Sequence, residues 1–128
     1  MISVELAAEV SAVLAARGEG WTPRSGDRFC FVERDLDQVF VVSEMVIEVA
    51  DLPSGRLIRF NGTTEWALDS TPAEDVVWLP REDQLREVLG ERFLALARIG
   101  DGWAVTLTDG SRHLAEEPED AYARAVLG

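Results

Sequence analysis

The run at residues 38–50, QVFVVSEMVIEVA, constrains the fold more than any other stretch of the chain. Met45, Ile47 and Val49 alternate with Glu44 and Glu48, the period-two pattern of a strand with one face in a core and one in water. Residues 39–42 are apolar on both faces and predict cover on both sides. Such a strand needs neighbours, and the flanking residues supply them. Residues 28–33, RFCFVE, predict a strand ahead of it, separated by a charged turn at 34–37. Asp51-Leu52-Pro53-Ser54-Gly55 predicts the next turn, and residues 57–60 a third strand. Residues 28–60 therefore read as an antiparallel meander.

Helical spacing frames this β region. Over residues 3–17, Ser3 is placed to cap a helix along which Leu6, Val10, Val13 and Leu14 form the stripe. Gly18 and Gly20 end it, and residues 21–27, WTPRSGD, read as a loop. After the meander, Asn61-Gly62 is a turn signal, because both residues tolerate positive φ. Residues 63–70, TTEWALDS, fit either a strand or a helical turn. Thr71-Pro72-Ala73-Glu74 has capping-box order with proline at the first helical position, although only a short turn fits before a strand at 76–79. Pro80 starts a helix over 81–89, with Glu82 and Asp83 in the first turn, Leu85, Val88 and Leu89 as its stripe, and Gly90 as its stop.

Residues 93–99, FLALARI, satisfy two periods. Leu85, Leu89, Phe93 and Leu96 continue a helical spacing, whereas Gly100-Asp101-Gly102 and the alternation that follows favour a hairpin over 93–108. A short strand at 112–114 and a final helix opened by Glu117-Pro118 complete the chain, with Tyr122 and Val126 on one helix face. Strands grouped rather than alternating with helices predict an α+β fold. In it, N-terminal, middle and C-terminal helices pack on a mostly antiparallel sheet. A barrel-like closure is the alternative. The 128 residues predict one domain that buries roughly two-thirds of its unfolded surface.

Composition excludes several functions. Asp and Glu number 24 against 12 arginines, there is no lysine, and the net charge is −12. Such a charge repels phosphate backbones and anionic lipid surfaces, so neither nucleic acid nor membrane is expected as a partner. No phosphate-cradling GxxxxGK[ST] is present, GEG and GDG do not match a dinucleotide fingerprint, and GxSxG is absent. One cysteine, Cys30, and one histidine, His113, preclude an intrachain disulfide, a cysteine zinc cage and a two-histidine metal site. Neither metal nor cofactor is expected. Glu33, Asp35 and Asp37 alternate but lack the glycine and terminal glutamate of a calcium loop. Without a leader pattern or an apolar run of spanning length, the expectation is a cytoplasmic protein.

The candidate site residues are aromatic, basic and acidic. Trp21, Trp66, Trp78 and Trp103 all fall near element ends. Arg24 and Arg81 each follow a proline beside a tryptophan, in WTPR and WLPR. Tryptophan and arginine are enriched in binding hot spots, so Trp21, Arg24, Trp66, Trp78 and Arg81 form the candidate partner surface. The competing role for the indoles is to plug the ends of a small sheet core. Glu65 and Asp69 flank Trp66, where an apolar neighbour could raise a carboxyl pKa for acid catalysis. A Ser-His-Asp triad could use only His113.

The segments MISVELA, GWTPRSGDRF, FNGTTEWALDS, WLPREDQLREVLG, VTLTDGSRH and AYARAVLG resemble those of a group of short actinobacterial proteins of unknown function, often labelled pilus assembly proteins. The resemblance extends over nearly the whole chain. The pilus-assembly ATPase behind that label is a larger MinD-like protein that depends on a phosphate-binding loop, so the resemblance transfers neither ATPase activity nor catalytic residues to this chain. Three functions remain: a non-enzymatic protein-interaction or adaptor domain, an acidic inhibitor or immunity-type protein masking a basic surface, and a small-molecule enzyme using Glu65 and Asp69. Self-association through an exposed sheet edge is compatible with each.

Overall fold

Ser3 begins the first helix as its spacing predicts. The side chain of Ser3 accepts from Leu6 N at 3.4 Å, opening α1 (Val4–Ala16). Gly18, at φ 75°, follows the C-cap Arg17 and lets the chain leave the helix. The computed structural model describes residues 1–31, 39–42, 46–53, 55–61, 70–72 and 76–128. The described residues form an α+β fold with three helices and antiparallel strand pairs. Contacts group the chain into two units, Met1–Gly20 with Leu79–Gly128, and Trp21–Trp78.

In the first unit, α2 (Glu82–Leu89) has Glu82 and Asp83 in its first turn, and Leu85 and Leu89 are buried. Its N-cap is Arg81, one residue beyond the proline expected to start it. Arginine has no side-chain acceptor, so the cap works in one direction: Gln84 Oε1 accepts from Arg81 N at 3.0 Å. Gly90 at φ 57° stops the helix. A 3₁₀ turn, Gly90–Arg92, leads into a sheet of β7 (Phe93–Ile99), β8 (Gly102–Leu107) and β9 (Arg112–Ala115), in that order. The two periods in FLALARI are thus resolved as strand. Gly100 at φ 60°, followed by an aspartate without positive φ, is the two-residue hairpin turn that glycine permits in its first position.

Helix α3 (Pro118–Leu127) closes this unit. Proline at its first position, Glu119 and Asp120 in the first turn and Arg124 in the last satisfy the ends of the helix dipole. Ala121, Tyr122, Ala123, Ala125 and Val126 are all buried, and α3 contacts β8, β9, α1 and α2. Small residues let these neighbours approach closely, while Tyr122 supplies the bulk. Its ring lies 5.6 Å from Phe93, and Arg86 caps its hydroxyl through Nη2 at 2.8 Å and Nε at 3.2 Å. Two further bonds fasten the helix start to the chain start. Asp120 Oδ1 accepts from Ser3 N at 2.8 Å, and Glu119 pairs with the Met1 amino group at 2.9 Å.

In the second unit, β1 (Arg28–Phe31) pairs with β2 (Phe40–Val41) on one side and β6 (Val76–Trp78) on the other. A separate sheet is formed by β3 (Val46–Leu52), β4 (Gly55–Asn61) and β5 (Ser70–Pro72). The expected meander over 28–60 is therefore corrected: its hairpins belong to two sheets, and β2 does not pair with β3. The physical sign is the change of pattern within residues 38–50. The doubly apolar half goes to one sheet and the alternating half to another, and an apolar run by itself carries no register. Thr71-Pro72 is also corrected. These residues lie in β5, an edge strand where a missing N–H is tolerated, and do not open a helical turn.

The β8–β9 register leaves little room at Gly102. A Cβ added there would meet the Ala115 carbonyl oxygen at 2.6 Å. Gly102→Ala should therefore cost about 1–3 kcal/mol, read as a fall in the thermal midpoint by circular dichroism. An unchanged midpoint would contradict the close approach.

Candidate functional site

The loop that starts the second unit is built around a buried carboxylate. Asp27 is 2% exposed, and its Oδ2 accepts from Trp21 Nε1 at 2.9 Å and from Arg24 N at 3.0 Å. The indole of Trp21 is thereby held flat against that of Trp78, with ring centroids 6.2 Å apart and planes 6° from parallel. Trp21 also lies against Phe29 at 6.0 Å, and with Phe40 it covers a cluster of Phe29, Phe31, Val42 and Val76. Trp78 is 7% exposed. Its role in the structure is to fill the core of this unit, the plug expected as the competing reading.

Trp21 and Trp78 meet, and Arg24 stands exposed on the same loop as Trp21. Arg81 belongs to the other unit, where its Nε pairs with Asp83 at 3.2 Å, and that bond holds the Asp83 carboxyl below its usual range. Trp66, Glu65 and Asp69 lie outside the described residues, as do Glu33, Asp35 and Asp37.

His113 does have a serine and an aspartate nearby. Ser111 Oγ donates to Asp109 Oδ1 at 2.6 Å and stands 3.1 Å from His113 Nε2. The order is wrong for nucleophilic activation. The single hydroxyl proton is committed to Asp109, so His113 can only donate to the serine oxygen. A triad needs the imidazole between serine and carboxylate, accepting that proton. Ser111 N also donates to Asp109 Oδ1, at 2.8 Å, and the two bonds hold the Asp109 carboxyl down. The group is a turn clasp between β8 and β9.

Cys30 is fully buried in β1, and desolvation pushes its thiol pKa up. It is a core residue of low nucleophilicity. No described helix is long and apolar enough to cross a membrane.

A cleft in the first unit was not foreseen from the chain. It has a volume of about 660 Å³ and opens where the β7–β8 turn, the end of β9 and the start of α3 converge. Trp103 and Leu114 supply apolar wall, with Ile99 from the strand edge. Asp101, Glu116, Glu117 and Asp120 supply charge, against one cation, Arg124. Asp120 is engaged by Ser3 N, and Arg124 Nη1 donates to the Leu114 carbonyl at 3.0 Å. Asp101, Glu116 and Glu117 are exposed, and none of them forms an ion pair with another described residue. Trp103 already carries one cation: the Arg98 guanidinium carbon lies 5.7 Å from its ring centroid. The register Trp103↔Ala115 brings Glu116 and Glu117 to the indole from more than ten residues away in sequence. Only the Glu116-Glu117-Pro118 order and the Asp101 turn beside Trp103 hinted at it.

Two outcomes test this geometry. Asp27→Ala leaves the Trp21 and Arg24 donors without their acceptor and should cost about 2 kcal/mol or more, with Asp27→Asn costing less; urea unfolding measures both, and equal stability would remove Asp27 as the organiser of the loop. Native protein should not react with a chromogenic disulfide reagent at mildly alkaline pH, and should titrate one thiol once unfolded. Rapid native labelling would contradict the buried, protonated Cys30. Compared with protein-family models, curated proteins and solved structures, the chain matches none.

Proposed function

We propose that the chain is a non-enzymatic protein-interaction domain whose Trp103 cleft receives a basic side chain of a protein partner. The observation that carries this reading is the meeting, at one end of β8, of an indole with three carboxylates that have no ion pair among the described residues. A guanidinium or ammonium group entering there gains carboxylate neighbours and an aromatic face. Stacking on the ring contributes about 0.5–1 kcal/mol at an exposed site, and each exposed ion pair up to about 1 kcal/mol. The contact of Arg98 with Trp103 is the same chemistry inside the chain. The net charge of −12 steers a basic partner toward the molecule and repels acidic ones.

An acidic protein that masks a wide basic surface would share this chemistry but not its focus, since its carboxylates would act together rather than at one cleft. A hexa-arginine peptide titrated into labelled protein distinguishes the two. The largest amide and indole shifts should fall on Asp101, Trp103, Glu116 and Glu117. Glu116→Gln with Glu117→Gln should weaken binding by up to about fivefold per carboxylate, and added salt should weaken it further. Shifts scattered over the acidic surface, or unchanged affinity in the double variant, would sink the reading.

A further inference from the structure

We propose that the free edge of β7 is a self-association surface, where two copies of the chain pair their β7 strands antiparallel about a two-fold axis. Among the described residues, the strand order β7–β8–β9 gives β7 one neighbour. Its seven residues are apolar except Arg98, and five of them, Leu94, Ala95, Ala97, Arg98 and Ile99, are exposed, Leu94 at 60%. A long apolar edge of this kind is a template for another strand, and proteins ordinarily blunt it. Here the protection is slight: a register shift between Phe93 and Ala95, and the single charge of Arg98.

The opposite edge is short and partly engaged. β9 has four residues, and Arg124 Nη1 occupies the Leu114 carbonyl. A two-fold β7–β7 contact is isologous, so it gives a closed pair rather than a growing fibre.

The charges favour a second copy as the occupant. Arg92 stands just before β7 and Asp101 just after it. Antiparallel pairing centred near Leu96 and Ala97 sets the start of each strand beside the end of the other. It brings Arg92 of each copy alongside Asp101 of the other, twice by symmetry. Within the strands no like charges meet, because Arg98 falls opposite a leucine of the other copy, Leu94 or Leu96. The product is a continuous sheet of twice three strands. The pairing shares Ile99 and Asp101 with the cleft but uses neither Glu116, Glu117 nor the Trp103 ring, so the Glu116→Gln, Glu117→Gln variant should keep the pair while losing the basic ligand.

Light scattering after size exclusion, over a range of micromolar concentrations, reads the outcome. Wild type should reach twice 14.1 kDa. Ala97→Glu and Ala97→Lys each place like charges across the axis and should give folded monomers by circular dichroism, and mixing the two variants should restore the doubled mass. A wild-type monomer at all concentrations, assembly beyond two copies, or a pair retained by both single variants would overturn the proposal. Hydrogen exchange adds a further arm: protection of β7 amides in a monomer would assign the edge to another segment of the same chain and likewise overturn it.

Discussion

The burial of α3 is the constraint on which the first unit depends. Five of its side chains are out of water, so the helix cannot exist as a surface element. It needs the β8–β9 face, α1 and α2 at once. Burying Tyr122 and Val126 contributes roughly 1.5–3 kcal/mol each, while the buried alanines set how near the neighbours come. This also explains why residues 1–20 join residues 79–128 across a long sequence separation. Ser3 and Met1 are bound to the start of the last helix through Asp120 and Glu119.

Carboxylates in this chain do two kinds of work. Some are fasteners: Asp27 holds an indole and a backbone amide, Asp120 holds Ser3, and Asp109 clasps a turn. Others remain in water without a counter-charge among the described residues, and Asp101, Glu116 and Glu117 do so beside one tryptophan. The excess of acid is thus partly architectural. The remainder at the cleft is what gives the proposed interaction its sign.

The tryptophans show how one residue type divides between roles. Trp78 spends its surface on the core, where Trp21 stacks on it and Asp27 sets the angle of the stack. Trp103 stands at a strand end with part of its ring available to Arg98. Trp78 lies within the apolar run at residues 76–79, whereas Trp103 directly follows the Asp101-Gly102 turn. The strands on either side of each complete the separation.

Local physics made much of the fold legible. The Ser3 cap, the Gly90 stop, the Pro118 start and the hairpin at Gly100-Asp101 each depend on residues within one turn of one another, so their chemistry can be read in order along the chain. The α+β class follows from grouped strand patterns for the same reason. The division of residues 38–50 between two sheets, the strand at Thr71-Pro72 and the cleft at Trp103 were not legible in that way. Each depends on strand pairing between distant segments, and an apolar run does not name its neighbour. The chain by itself determined the charge and the element ends named above. Tertiary structure alone decided which indole is core, which carboxylates gather at Trp103 and which edge stays open among the described strands, because all three depend on which distant segments pair.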